Sequence, residues 1–380
     1  MSDLTKRTWA EINLDNIIHN YNAIRNRIPK ECKYLGVVKA NAYGHGACAV
    51  AHALENAGAD YLAVACIDEA EELRSDGITL PILILGHTPA RFVEELISNN
   101  ITQAVTNEET ALKYNEIAKS LGKKLRVHIK VDTGMSRLGF QCAGDLFEDG
   151  VESIVRSCNL SNLDVEGIFT HFAVSDDPEV QESIDYTRNQ FNLFMSVING
   201  CKDKGVNFKI RHCANTGASV NYIEEFALDM VRPGLSLYGY GDNGKYDLRP
   251  GMTLKTRVLT VKEYPSDTTI SYGRKYKTPD TTRIGVLGIG YADGLFRGLS
   301  NRCSFMTEQG YAEQRGRICM DMCMIDLTGK DQVQEDSIVE IFGENADINI
   351  LCDIIDTIPY ELVCAVSRRV PRVYKYSNKE

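Results

Sequence analysis

Apolar runs of strand length, separated by amphipathic helical stretches, recur eight times in the first 240 or so residues, and this alternation confines the chain to few folds. In order they are YLGVVKA (34–40), YLAVAC (61–66), PILILG (81–86), TQAVTN (102–107), LRVHIKVDTG (125–134), LDVEGIFTHF (163–172), FKIRHCAN (208–215) and ALDMVRPG (227–234). Segments between them, such as IDEAEELRSDG and ARFVEELISNN, set apolar residues three and four apart among charges, which is the helical period. Runs that are apolar throughout belong to a parallel sheet covered on both faces. Eight βα units predict an α/β fold of the (β/α)8, TIM-like barrel type. The strand count favours it over an open doubly wound sheet.

The pattern changes after residue 240. A polar linker, DNGKYDLRPGM, leads into the short strand-like runs TLKTRVLTVKEY, TRIGVLGIGYA, GRICMDMCMIDL and DSIVEIFG. Turn clusters separate them, and helical patterning returns at INILCDIID. The expected organisation is a barrel domain over 1–240 and a mostly β C-terminal domain over 241–380. TWAEINL at 8–14 reads as an early strand and is a candidate for packing on the C-terminal domain.

Charge and cysteine usage narrow the function. Lys+Arg number 42 against 52 Asp+Glu, a net −10, which argues against a nucleic-acid or anionic-membrane partner. No apolar run approaches the roughly 20 residues of a membrane span, and no signal-peptide core follows the first charges. The 12 cysteines include no CxxC pair, and Cys319 and Cys323 fall on one face of an expected strand. Reduced thiols and a cytoplasmic location follow. The 7 histidines contain no ligand-spaced pair, so no metal site is expected.

A barrel places its chemistry at the carboxyl ends of its strands. Lys39 emerges there from the first run, partly desolvated and therefore nucleophilic toward carbonyls. The ends of the seventh and eighth runs, HCANTG and MVRPGLSLYG, bring the Thr216 hydroxyl, Arg232 and Gly234 to the usual phosphate-binding place of this fold. A reactive lysine and a phosphate site at one mouth suggest pyridoxal phosphate held as a Schiff base.

VVKANAYGHG at 37–46 resembles the lysine motif of the alanine racemases, fold-type III pyridoxal-phosphate enzymes. The similarity runs from TWAEINLDN to RRVPRVY, with KVDTGMSRLGF, THFA, HCANTG, MVRPGLSLYG, SYGRKY, GIGYADG, GRICMDM and IPYELVC in family order. The resemblance implies that Lys39 carries the cofactor and serves as one base, with Tyr272 as the second on the opposite face of the α-carbon. His171 would bridge Tyr272 to Arg232, and Arg232, buttressed by His212, would donate to the pyridine nitrogen. Because an arginine cannot usefully accept that proton, the ring stays neutral and simple proton exchange is favoured.

The same resemblance sets Tyr43, Thr216, Gly234, Leu235 and Tyr360 around the phosphate, with Thr216 where the family usually has Ser. Arg137 would reach the cofactor phenolic oxygen and the substrate carboxylate, and Ser136 beside it stands where the family commonly has Gly. Met320, with Asp321, would present main-chain contacts to that carboxylate. Lys130 aligns with a lysine that is often carbamylated, and Tyr291 would narrow the entrance with Tyr360. The family is homodimeric, with Tyr272 and Met320 entering from the second subunit.

The implied activity is interconversion of L- and D-alanine, supplying D-alanine for peptidoglycan. A serine or broad-specificity racemase is the nearest alternative, since one hydroxyl is weakly discriminated. A decarboxylase of the same fold type is disfavoured by Arg232 and Tyr272. A non-catalytic pyridoxal-phosphate carrier would have no use for the long second domain, and a cofactor-free barrel hydrolase lacks a metal-ligand cluster.

Overall fold

The computed structural model describes residues 7–241 and 244–377, so the charged start and the first two linker residues, Asp242 and Asn243, lie outside it. The chain separates into two compact units. One is built from Ile18–Ala42 and Ala47–Leu248, the other from the chain up to Ile17, Tyr43–Gly46 and the chain from Arg249 onward. The first strand, β1 (Thr8–Asn13), falls in the second of these.

The first unit holds β2 (Lys33–Val37), β3 (Tyr61–Val64), β4 (Ile82–Ile84), β5 (Ile101–Val105) and β6 (Leu125–Asp132). A two-residue β7 (Phe140–Gln141) pairs beside the end of β6. Then come β8 (Leu163–Phe169), β9 (Ile210–His212) and β10 (Met230–Val231). The parallel order is β10-β2-β3-β4-β5-β6-β8-β9. Two backbone bonds, Asp229 N to Arg211 O at 3.0 Å and Arg232 N to Ala214 O at 2.9 Å, bring β9 and β10 together and close the ring. β3 and β4 are buried at every residue, as strands covered on both faces must be. Helices such as Ala47–Ala57, Glu108–Ser120 and Gln181–Asp203 connect them. The last two strands are shorter than their apolar runs: Pro233, which lacks an N–H, ends the ladder just beyond β10.

The second unit combines a mostly antiparallel eight-stranded sheet with a separate two-stranded hairpin. Its strands are β11 (Met252–Tyr264), a small hairpin of β12 (Thr269–Ile270) and β13 (Tyr276–Lys277), and β14 (Thr282–Leu287). β15 (Ser304–Thr307), β16 (Gly310–Arg315), β17 (Cys323–Asp326), β18 (Ile338–Phe342) and β19 (Arg372–Lys375) complete it. The order β14-β17-β16-β15-β18-β11 closes through β11–β14 into a six-stranded ring. β11 can serve both edges because its register shifts at Leu254/Lys255 and at Val258/Thr260. β1 then adds antiparallel to β11, and β19 parallel to β1.

The run GRICMDMCMIDL is not one strand. Gly316 sits at φ +75°, Cys319 N donates to Met322 O at 2.9 Å, and regular pairing begins only at Cys323. Cys319 therefore lies on a turn and does not share a strand face with Cys323. Among the described residues no cysteine is in a disulfide, and seven of the twelve are buried as small hydrophobes. No described helix is long and apolar enough to cross a membrane.

Candidate active site

Lys39 stands two residues beyond β2, half-buried, at the carboxyl end of the barrel strands. The next four residues are all left-handed: Ala40 at φ 51°, Asn41 at 55°, Ala42 at 52° and Tyr43 at 52°. For L-residues this costs about 1–2 kcal/mol each, so other contacts must hold the turn. Glu69 supplies one, accepting from Ala40 N at 2.6 Å and from Ala65 N at 2.7 Å. The Asn41 side chain adds another by accepting from Ala47 N at 2.8 Å. In the second unit Gly44 continues at φ 81°, where a Cβ would stand 2.3 Å from Val363 O, so only glycine fits.

Arg232 is 3% exposed and follows β10 directly. Its Nη2 donates to Thr170 O at 2.7 Å and Cys213 O at 3.1 Å, and its Nη1 meets His212 Nδ1 at 2.9 Å. His212 and Arg232 are thus in direct hydrogen-bond contact. Phe169 forms a platform beneath: it stacks on His212 at 4.8 Å and 10°, with Arg232 and Lys130 at 5.4 and 5.7 Å from its ring centroid. Burial lowers Arg232 to about 10, so it stays a cation at neutral pH.

Lys130, on β6 and 4% exposed, is brought down to about 8 by burial and then by the charges of Arg137 and Arg232. His171 is pushed well below the usual imidazole range, first by desolvation and then by Arg232, Lys130, Arg137 and Lys39. Four cations thus act on the one imidazole, in a chain of net charge −10, and two of them, Arg232 and Lys130, share the Phe169 ring. Lys130 has Asp132, two residues along β6, as its acidic neighbour, and the Asp132 Oδ1 accepts from Gly134 N and Ser136 N, both at 3.0 Å. That turn carries Arg137 outward to an exposed position, with Ser136 at φ 55°. His171 is steadied through its carbonyl, which accepts from Gln190 Nε2 at 3.2 Å, and no direct bond to Arg232 is present.

The seventh and eighth strand ends meet at Thr216 Oγ1, which accepts from Gly234 N at 2.8 Å. Asn215 starts the short helix there by accepting from Ala218 N at 3.1 Å, and Gly217 lies so close to Asp176 N that a Cβ would come within 2.6 Å. Leu235 is buried beside Gly234.

Within the second unit, the expected residues form two groups. Tyr43 and Tyr360 pack ring to ring at 5.6 Å. Tyr272, Tyr291 and Met320 come together on another surface: Ser271 Oγ donates to Arg317 O at 2.6 Å, Tyr291 N to Cys319 O at 3.0 Å, and Ala292 N to Met320 O at 3.0 Å. All three side chains are exposed, at 70%, 44% and 52% in that order, although each is largely apolar. Asp321 is tied to Arg369 at 2.6 Å.

Comparison with known proteins bears directly on this arrangement. The family described as "Alanine racemase, N-terminal domain" matches residues 12–242, and "Alanine racemase, C-terminal domain" matches 251–374. The chain belongs to the alanine racemase family. "Alanine racemase 2" of Caldanaerobacter subterraneus is 44% identical over 99% of this chain and 97% of its own. The Clostridium perfringens alanine racemase is 42% identical over 100% and 98%. The solved alanine racemase of Clostridium difficile 630 superposes with a TM-score of 0.92 at 40% identity, covering 99% and 98% of the two chains. The barrel and antiparallel β unit expected from the sequence are those of this racemase family, and the enzyme is an amino-acid isomerase.

Four residues of this racemase's barrel escaped the sequence reading: Glu69, His128, Glu166 and Phe169. His128 and Glu166 interrupt the apolar runs LRVHIKV and LDVEGIF, and a polar residue inside a barrel strand was the available signal. Glu69 gave none, being one acid among several on a helix face.

Proposed function

We propose that the protein racemises alanine with pyridoxal 5'-phosphate and two bases, Lys39 and Tyr272. The observation that carries this reading is the placing of buried Arg232 and Lys130 over the Phe169 ring, with Thr216 and the Gly234 N–H paired at the neighbouring strand ends and Lys39 and Arg137 also acting on His171, a donor set suited to a phosphorylated cofactor and a carboxylate substrate together. The donor chemistry fits the group: Lys39 would hold it covalently through its amine, and Arg232 would face the pyridine nitrogen. Thr216, Gly234, Leu235, Tyr43 and Tyr360 would hold the phosphate, the Gly234 N–H shared with Thr216. His212 and His171 would order the groups around Arg232. When bound, the cofactor supplies an electron sink that acidifies the substrate α-proton.

The chain's own residues do the rest. Arg232, a donor with no acceptor, leaves a nitrogen facing it unprotonated and so favours proton exchange over bond cleavage to carbon. Lys39 moves a proton at one face of the α-carbon, and the partner subunit's Tyr272 at the other, so removal and return from opposite sides invert the centre. Arg137 and the main chain of the partner's Met320 orient the substrate carboxylate. Tyr291 and Tyr360 narrow the entrance to suit a small side chain. Lys130, whose amine is partly neutral near pH 8, is the candidate for carbamylation, which would set a negative charge beside Arg137. The enzyme so read is a cytoplasmic homodimer that supplies D-alanine for peptidoglycan.

The test is proton exchange in D2O with L-alanine and, separately, L-serine. Deuterated D-alanine forming much faster than D-serine, and not with Lys39→Ala, is the expected result. Comparable rates on both substrates would make it a broad-specificity racemase. Bound cofactor without exchange would refute the racemisation mechanism.

A further inference from the structure

Below Arg232 the barrel interior contains a line of hydrogen-bonding groups that the proposed chemistry does not use. Arg232 Nη1 meets His212 Nδ1 at 2.9 Å, and His212 Nε2 meets His128 Nδ1 at 2.9 Å. His128 Nε2 then meets Glu166 Oε2 at 3.2 Å, and the Tyr61 hydroxyl donates to the same oxygen at 2.9 Å. Both histidines are fully buried, on β9 and β6, while the Glu166 side chain on β8 retains 19% exposure.

The two ends dictate the direction of the line. A guanidinium only donates, so His212 Nδ1 must accept and its proton must sit on Nε2. That proton points at His128 Nδ1, which must accept in turn, leaving its own proton on Nε2. The carboxylate at the far end only accepts, and takes it. A second proton on His212 would set N–H against N–H at Arg232. Protonating Glu166 and reversing every bond ends in the same clash. One arrangement remains, with both imidazoles neutral and both in the Nε2–H form.

We propose that Glu166 and His128 are positioning residues which, through the fixed tautomer of His212, hold Arg232 with free N–H groups presented to the cofactor nitrogen. The role toward the cofactor rests on the reading of function above; the tautomer relay stands without it. Three of the guanidinium's bonds go to His212, Thr170 O and Cys213 O, so of its five N–H groups two remain to be presented. Desolvation lowers the affinity of both imidazoles for a second proton, and Glu166 is held ionised by the bonds from His128 and Tyr61. Arg126 is the other charge acting on Glu166 and His128 from this side.

The first test needs no substitution. Nitrogen-15 shifts of His128 and His212 in the full-length protein, with and without pyridoxal phosphate, would be followed from about pH 6 to about 9. The expected result is neutral Nε2–H imidazoles throughout. A cationic ring, or an Nδ1–H tautomer at His212, overturns the relay. The second test compares Glu166→Gln, which keeps an accepting oxygen, with Glu166→Leu, which has none. Glu166→Leu is expected to lower kcat for alanine about tenfold with KM changed less than about twofold, and to shift the pH titration of the bound cofactor's absorbance. Glu166→Gln should restore most of the rate and the titration. Equal behaviour of the two variants would overturn the proposal. A wild-type protein that binds no pyridoxal phosphate would instead refute the reading of function, leaving the tautomer result to be judged alone.

Discussion

Lys130 pits a charge against burial. Its ammonium belongs to a residue 4% exposed, and its titration falls from the usual 10.5 to about 8. Below pH 8 folded and unfolded chains both carry the proton, so folding bears the full cost of burying the cation. Between about 8 and 10.5 the unfolded chain binds more protons than the folded one, and stability rises with pH. Above that window the penalty is gone. In carbonate-free buffer, Lys130→Met should therefore stabilise the protein at pH 7 by about 3 kcal/mol, an upper figure from the shift. The advantage should disappear as pH climbs through the window. Urea unfolding of both proteins at neutral and alkaline pH measures it; an advantage independent of pH would mean that packing, not charge, is responsible.

Two short turns set left-handed backbone directly beside a reactive side chain, Ala40 after Lys39 and Ser136 before Arg137, and they test whether that strain is offset locally. Ala40 is exposed at φ 51° and Ser136 is exposed at φ 55°. Neither side chain fills a core, so glycine removes the conformational penalty without opening a cavity. Ala40→Gly and Ser136→Gly should each raise the unfolding free energy, by up to about 1 kcal/mol. Their effects on rate should part. Ala40 follows Lys39 and donates to Glu69, so a loosened turn should lower kcat, whereas Ser136→Gly restores the family's residue and should leave kcat near wild type; steady-state kinetics beside urea titrations separate the two. These elements also show what a sequence conceals. Lys39 was legible because barrel topology assigns strand ends their chemistry, and the apolar runs gave that topology. The handedness of the turn was not, because Ala carries no left-handed signature, a single Asn gives only a weak one, and the turn is held by Glu69, 29 residues away from Ala40. Likewise the β15–β16 hairpin hid in SFMTEQGYAEQR, whose polar outward residues mask the inward Phe305 and Ala312. His128 and Glu166 stayed hidden because their meaning lies in a line crossing three strands, which no spacing along the chain reports.

At the scale of the whole molecule, the exposed group of Tyr272, Met320 and Tyr291 is the feature that one chain leaves unexplained, since large apolar side chains grouped on a surface mark an interface. In the proposed homodimer each barrel is completed by the other subunit's Tyr272, and that arrangement makes a strong arithmetical prediction. Lys39→Ala and Tyr272→Ala should each be inactive as homodimers. A mixed dimer of the two contains one site lacking both residues and one site with both intact. Random exchange between equal amounts makes half the dimers mixed, so activity should recover to about a quarter of wild type. The recovery should follow subunit exchange in time and fail when the subunits are cross-linked beforehand. If Lys39 and Tyr272 instead served the same site from one chain, every site in every dimer would lack one of them. Mixing would then restore nothing, and the exposed group would need another partner.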